Sequence, residues 1–574
     1  MKVVKSLLLG SAAGLLTVAG AQAADLPTRK AAPVAYVRIC DAYGAGFFYI
    51  PGTDTCLKVG GLALFEARVF NTPYSIGAGF LSASAPGALA AGLGPIPFIT
   101  PGGGTTLSTA YRNARERDNY GLGALGRVEL DARTATGYGT LRAFIRIDSS
   151  YGSSSTSQTG ALNQLYNVTA GPFPAKEQTI INKAFVQFAG LTAGRAQSMF
   201  DFYADAYNYE ALRGSNASPA LLAYTYTFGG PFTGLSATIS AEDGVSRREQ
   251  IASVLSFGTV AGTGIPLAAF GIGAGGGAFA ASQAGQQIPD LVANVRVDQP
   301  WGSAQLSGAA HQLRTSIFPA AGAICGITAA GLVGIAGAGG VACNALAGTG
   351  AAAFTFAGPA FTGVANPTQT QDDWGFAVQG GIKVNAPWIA PGDVFYVQAT
   401  YEHGAIGYIT GNTLAYTGGF WASSLNYGNG LAATPSTNKW AEATFSDCVW
   451  TLLNRCEKQQ GGALVAAFKH YWLPTWSSGF YGSLMAVRYN ADVNTPTLGN
   501  VLGVPNYKEL RAGANLVWTP VTGFDIGAEF MYTRGITDKP FGMANDIFLT
   551  LQGLPTFSST SNVYEGRLRV QRAF

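Results

Sequence analysis

From residue 57 to residue 574 the chain reads as sixteen extended stretches, and the connections between them alternate strictly between long and short. The stretches are 57–70, 121–136, 139–150, 179–190, 191–197, 221–229, 234–242, 290–299, 302–314, 372–385, 393–403, 461–472, 478–490, 508–518, 523–534 and 562–574. Long connections run 71–120, 151–178, 198–220, 243–289, 315–371, 404–460, 491–507 and 535–561. Short ones centre on Gly137-Tyr138, Gly190, Gly229-Gly230-Pro231, Pro300-Trp301, Pro387–Pro391, Pro474-Thr475-Trp476 and Pro520–Thr522. Sandwiches and propellers have no reason to keep every second connection short. An up-and-down membrane barrel does, with short periplasmic turns and long outer loops. The expected fold is all-β: a closed antiparallel transmembrane β-barrel of sixteen strands.

The faces of single strands agree. In 121–136, Leu122, Val128 and Leu130 alternate with Arg127, Glu129, Asp131 and Arg133; in 139–150, Leu141, Ala143, Ile145 and Ile147 alternate with Arg142, Phe144, Arg146 and Asp148. Near the terminus Leu568, Val570 and Phe574 oppose Glu565, Arg567, Arg569 and Gln571. A period of two with charge on one side marks a strand wetted on that side only. Around a barrel, the aliphatic rows face hydrocarbon and the charges face a water-filled lumen. Strands in lipid must satisfy every backbone group, so the sheet has to close on itself.

The N-terminus sets the compartment. Lys2 and Lys5 precede the apolar run LLLGSAAGLLTVAG, which ends in Ala21-Gln22-Ala23. This is the layout of a secretory signal peptide, residues 1–23, cleaved after Ala23. Removing its two lysines lowers the formal charge of +3 to about +1, which gives no reason to expect nucleic acid. Charged residues form 12% of the chain, about half the usual ~25%. After the signal, no stretch reads as a membrane-spanning helix. Residues 320–343 come nearest, but their glycines make a poor helix.

Six cysteines fall into three couples close in sequence: Cys40 with Cys56, Cys325 with Cys343 and Cys448 with Cys456. An even count after a signal peptide favours disulfides, although six cysteines allow fifteen connectivities and only proximity selects this one. No C-x-x-C occurs and the three histidines are far apart, so neither a metal site nor a cofactor is expected.

Three segments carry a family resemblance: YVRICDAYGAGFFYIPGTDTCLKVGG (36–61), the GR-x₃-FDFYAD segment (194–205) and the terminal YEGRLRVQRAF. They resemble the porin family of alphaproteobacterial outer membranes, over the whole mature chain. The resemblance implies a trimer of sixteen-stranded barrels, each with its own pore narrowed by the third long loop, in contact with outer-membrane lipid. It divides the chain into a disulfide-flanked segment, 24–56, and a barrel, 57–574. Long Gly/Ala-rich insertions at 243–289 and 315–371 depart from the family pattern. Small residues on the lipid side of the first strand, Gly61, Ala63 and Ala67, are placed against a neighbouring subunit mainly on this resemblance.

The third long connection, 198–220, carries Asp201, Asp205 and Glu210 among Phe200, Phe202, Tyr203, Tyr207 and Tyr209. An exposed loop or a subunit contact could hold such residues. A loop folded into the lumen gains more, because it buries one aromatic face at roughly 25 cal/mol per Å². Its acidic groups are then expected to project across the pore toward a basic wall of Arg68, Arg127, Arg133, Arg142, Arg146 and Lys183, with Arg195 nearby. Opposite charges across a narrow channel set up a transverse field that polar solutes tolerate and apolar ones do not. The expected function is passive diffusion of small hydrophilic solutes and ions, with no enzymatic activity. Two rival readings are a barrel hydrolase and a plugged structural or adhesin barrel. Gly271, Gly273 and Gly276 match a nucleotide-binding pattern but lack its strand-turn-helix setting.

The two-residue connection Gly137-Tyr138 fixes a register. A turn with Gly first suits type II′, and paired residue numbers then sum to 275. That sets Glu129 opposite Arg146, Arg127 opposite Asp148 and Arg133 opposite Arg142, the last two kept apart by lumen water.

Overall fold

The computed structural model describes residues 38–70, 120–152, 176–253, 279–319, 325–328, 331–334, 369–410, 446–451, 455–495, 504–538 and 560–574. Residues 1–23, most of the 315–371 insertion and Cys343, with its expected bond to Cys325, lie outside them. The chain divides into two units, Met1–Leu57 and Lys58–Phe574.

In the first unit, a short strand at Phe48–Tyr49 pairs antiparallel with Cys56 and Leu57. The Cys40–Cys56 disulfide closes this hairpin over the buried ring of Phe47. A segment this small buries little apolar surface, so the covalent link carries much of its order.

The second unit is a closed sheet. Its strands are β1 (Thr55–Phe70, of which Lys58 onward lies in this unit), β2 (Tyr120–Thr136), β3 (Gly139–Gly152), β4 (Lys176–Phe188), β5 (Leu191–Arg195), β6 (Ala220–Thr227), β7 (Leu235–Glu242) and β8 (Asp290–Gln299). They continue as β9 (Gly302–Pro319), β10 (Gln369–Asn385), β11 (Val394–His403), β12 (Gln460–Leu473), β13 (Trp476–Arg488), β14 (Tyr507–Val521), β15 (Phe524–Thr537) and β16 (Thr560–Ala573). Each pairs with the next, and β1 pairs with both β2 and β16, so the sheet has no edge. Every stretch read from the sequence corresponds to one of these strands.

Exposure inverts the pattern of a soluble protein. Val128, Leu222, Leu306 and Leu484 are 49%, 56%, 62% and 51% exposed, whereas Glu66, Glu402 and Arg511 are wholly buried. The apolar rows form the outer surface and the polar rows the lumen, as hydrocarbon outside and water inside require. Outward aromatics flank the aliphatic band: Trp476 stacks on Trp518 at 5.8 Å near the short-turn end, and Tyr532 on Tyr564 at 5.1 Å toward the other.

The β2–β3 hairpin has the expected register: Arg127 opposite Asp148, Glu129 opposite Arg146, Arg133 opposite Arg142. Its turn differs. The positive φ falls at Gly139 (+112°) and not at Gly137. Thr136 explains this, since its hydroxyl accepts from the Tyr138 N–H at 3.2 Å and donates to the Gly139 carbonyl at 2.6 Å. The side chain thereby supplies a local turn of its own.

The long connections contain structure that periodicity did not show. Gln250–Ser253 runs parallel to Ser446–Trp450, which forms a hairpin with Cys456–Lys458. The Cys448–Cys456 disulfide, as expected, clamps that hairpin.

Candidate functional site

Between the end of β5 and the start of β6 the chain turns into the barrel, and the wall satisfies its peptide groups one by one. Glu242 of β7 accepts from the Ser198 hydroxyl at 2.7 Å and the Met199 N–H at 2.8 Å. Gln379 of β10 donates to the Phe200 carbonyl at 2.8 Å, and Gln398 of β11 accepts from the Tyr203 N–H at 2.9 Å. Asn515 of β14 donates to the Tyr207 carbonyl at 2.7 Å. Glu529 of β15 accepts from the N–H groups of Tyr209 and Glu210 at 2.6 and 2.8 Å. A loop without its own secondary structure can be buried only if such partners exist.

Aromatic packing fixes its height in the lumen. Tyr203 and Leu212 pack against Val465, Ala467, Tyr481 and Met531, and Phe200 meets Tyr408 at 4.7 Å. Two wall glycines leave room for it. A Cβ at Gly381 would run into the Phe202 ring, and one at Gly527 into the Tyr209 hydroxyl.

The acidic residues expected to project across the pore are instead engaged in holding this loop. Glu210 is fully buried and paired with Arg68 at 3.1 Å, with Arg511 at 3.4 Å and with Arg567. Asp201 bonds the Ala217 N–H at 2.7 Å, the Ser215 hydroxyl and Arg247 at 3.1 Å. Asp205, in a left-handed conformation (φ +56°), accepts from the Leu212 N–H at 3.0 Å, Asn216 at 3.0 Å and Asn208 at 2.7 Å. The physical reason is desolvation: a carboxylate this deep is tolerated only when paired or hydrogen bonded. Arg68 accordingly belongs to the loop's anchorage, since it binds Glu210 itself and Glu565 at 2.7 Å.

The other expected cations stand on β2–β4. Arg127 binds Asp148 at 2.7 Å and Arg146 binds it at 3.3 Å. Arg133 and Arg142 both bind Asp131, at 2.7 and 2.9 Å, so a carboxylate joins these like charges where water was expected to separate them. All four guanidinium side chains keep 19–28% exposure. Lys183 lies opposite Arg146 in register. Arg195 falls off this wall. It lies opposite Ala184 and Ala220, in the row of the exposed Leu222 and Tyr224, because the Ala189-Gly190 turn sets Thr192 and Gly194 inward.

Sequence reasoning passed over Arg213, Arg247 and Arg511, and set Arg567 on the lumen face without joining it to the loop; Arg247, Arg511 and Arg567 pair with the loop's carboxylates. Arg213 binds Glu509 at 2.8 and 2.9 Å. The signal was available in two places: Glu509 with Arg511, and Glu565 with Arg567, share the inward parity of their strands.

On the long-loop side, outer segments fold down beside the inserted loop. Asp447 accepts from the N–H groups of Glu249 and Ile406 at 3.0 and 3.1 Å, and Thr410 donates to Glu249 at 3.0 Å. Burial pushes the Asp447 carboxyl up to about 6, and burial with the neighbouring Asp447 charge raises Glu249 well above the usual carboxylate range. No group of metal-ligating side chains occurs among the described residues.

A sequence profile of the porin subfamily matches residues 25–548. The chain belongs to that subfamily. Membership places the barrel of this porin in the outer membrane. It is 30% identical to Porin Omp2b of Brucella suis over 246 residues, which is 42% of this chain and 52% of the relative. Against Porin Omp2b of Brucella abortus (strain 2308) the identity is 30% over 246 residues, 42% of this chain and 54% of the relative. The match spans about half the length of these curated relatives. Among solved structures, the outer membrane channel DcaP of Acinetobacter baumannii is similar at a TM-score of 0.46 and 13% identity, over 92% of this porin and 99% of that chain.

Proposed function

We propose that this porin forms a water-filled channel through which small hydrophilic solutes and ions diffuse passively, narrowed where residues 196–219 face the basic wall of β2–β4. One observation carries the reading: a loop lies inside a closed, polar-lined barrel and anchors on the β7–β16 arc and on β1. Among the described side chains of β2–β4, the cations Arg127, Arg133, Arg142, Arg146 and Lys183 accompany the carboxylates Glu129, Asp131 and Asp148. Asp201 and Glu210 are paired with arginines and Asp205 is hydrogen bonded within the loop, so the wall's excess positive charge sets a weak preference for anions. A field between partly paired charges filters by polarity and charge without a tight binding site.

The working unit in this reading is a homotrimer in outer-membrane lipid, exported by a signal peptide cleaved after Ala23. Ala63 is exposed and Gly61 and Ala67 partly so on the outer face of β1, where small side chains let barrel walls approach closely. Single-channel recording in a planar bilayer tests the function. The expected result is ohmic current in steps of three equal levels. A folded trimer that conducts nothing would make the barrel a plugged one and overturn the reading.

A further inference from the structure

The face of the inserted loop toward the short turns carries a second arrangement. Phe202 and Tyr207 leave the loop there and meet Tyr396 of β11, with ring centroids 5.7 and 5.6 Å apart and interplanar angles of 59° and 78°. Two lysines frame the rings. Lys383 of β10, directly opposite Tyr396, stands over that ring at 5.9 Å. Lys469 of β12 stands over Tyr207 at 5.5 Å. All five side chains are partly exposed in the lumen. Lys383 and Lys469 each lie within a few residues of a short connection, at 386–393 and 474–475.

These lysines differ from the lumen arginines. Arg127, Arg133, Arg142 and Arg146 each hold a carboxylate. Among the described residues, no carboxylate comes within ion-pair distance of Lys383 or Lys469. Two ammonium groups without counter-charge therefore lie beside a trough of tilted aromatic faces. A ring face attracts a cation and an apolar surface, while the ammonium groups attract an anion. One class of solute answers both: a small organic anion with a flat, apolar body, such as an aromatic carboxylate.

We propose that this vestibule is a low-affinity subsite for flat organic anions, which stack on Tyr207 and Tyr396 while their carboxylate is held by Lys383 and Lys469. The proposal deepens the channel reading and rests on it, for the subsite lies on the route a solute takes past the loop. Chloride and acetate share the charge but have no face to stack. Benzylammonium shares the face but carries the wrong charge. Water fills the lumen and screens the lysines, so binding is weak and reversible, as passage demands.

The test uses the purified full-length trimer in a planar bilayer, in potassium chloride, with benzoate, acetate or benzylammonium added to either side. Benzoate is expected to produce saturable, brief interruptions of current, and the other two ions none. K383Q/K469Q should raise the half-blocking benzoate concentration roughly three- to tenfold, and K383R/K469R should restore it. Y396L, which removes a ring and no charge, should weaken benzoate without altering the reversal potential in a chloride gradient. Circular dichroism and heat-modifiable gel mobility establish that each variant is folded. Benzoate and acetate acting alike, or K383Q/K469Q leaving benzoate block unchanged, would overturn the subsite. If no variant conducts chloride, the channel reading fails, and the subsite is judged separately by saturation-transfer NMR of benzoate on the detergent-solubilised trimer. Loss of that signal in K383Q/K469Q supports it, and equal signals reject it.

Discussion

Arg213 and Glu509 meet in a two-pronged ion pair, at 2.8 and 2.9 Å, with both side chains wholly buried. The pair ties the far limb of the inserted loop to β14. The Arg213 N–H also donates to Ser483 at 3.1 Å, and its guanidinium to the Thr410 carbonyl at 3.2 Å. One residue thus links the loop to two wall strands and to an outer segment.

Breaking this pair from one side should free the loop. Arg213→Ala leaves the Glu509 carboxylate with Arg511 and the Tyr507 hydroxyl, and loss of one partner of a buried pair costs about 3–5 kcal/mol. The expected phenotype is a folded barrel with larger, noisier conductance and faster hydrogen exchange at residues 198–215. R213M/E509L should cost less than either single replacement, because opposite charges leave together and Arg511 keeps Glu210 at 3.4 Å. Exchange mass spectrometry on the three variants checks the order.

Replacing Arg142 and Arg146 by Ala should move the channel toward cations. Arg142 shares Asp131 with Arg133, and Arg146 shares Asp148 with Arg127, so Asp131 and Asp148 each keep one partner, Glu129 loses its 3.7 Å contact with Arg146, and the wall loses its excess positive charge. Conductance should rise as two long side chains leave the lumen. The reversal potential in a tenfold potassium chloride gradient reads the change, and an unchanged value would place the constriction away from β2–β4.

Much of this was legible in the chain, and the reason is the pleat. Alternation fixes which side chains face lipid, so Val128, Ile145 and Leu568 identify their strands without any contact being known. A hairpin as short as Gly137-Tyr138 then fixes partners residue by residue. The loop was recognisable by its aromatics, but its charges were misplaced, because parity says which side chains enter the lumen and not which of them meet there. Glu210 is 142 residues from Arg68 and 301 from Arg511. Only the closed ring brings them together. Gly381 and Gly527 were a missed signal: glycine inside a strand marks close approach, and here the approaching groups are Phe202 and Tyr209.

The outer segments should loosen as pH rises. Asp447 titrates at about 6 in the folded protein against 3.8 unpaired, and Glu249 is raised in the same direction. A carboxyl with a raised folded value favours the folded arrangement fully below the unfolded value and loses that contribution as pH climbs through the folded one. Asp290, His311 and Glu402 of the wall also face Asp447. Packing of 243–253 against 404–410 and 446–450 should therefore be tighter at pH 4.5 than at pH 7.5, read as larger protection factors for the Glu249 and Ile406 amides once the intrinsic pH dependence of exchange is divided out. Asp447→Asn should flatten the dependence between 3.8 and about 6.

Removing the Cys448–Cys456 link should affect the same region and spare the barrel. Closing a loop with a sequence separation of 8 contributes roughly 2–3 kcal/mol in the chain-entropy treatment. C448A/C456A should speed proteolysis within 446–458 and leave heat-modifiable mobility unchanged. Peptide mapping without reduction should recover Cys40 with Cys56 and Cys448 with Cys456, and tests Cys325 with Cys343 alongside.

The junction of β1 and β16 bears on how such a chain can be made. Leu62 lies opposite Ala573, the Gly61 and Phe574 backbones exchange hydrogen bonds at 3.1 and 3.0 Å, and Arg569 binds Glu66 at 2.5 Å across the junction. These contacts join the first barrel strand to the sixteenth. Until Thr560–Ala573 arrives, β1 and β15 would be bare edges, each a template for any other strand nearby. Hairpins can form locally and early, whereas the seam must wait for the whole chain and bears the largest loop-closure cost in the fold. A nascent porin is therefore safest kept extended until β1 and β16 can find each other in the membrane.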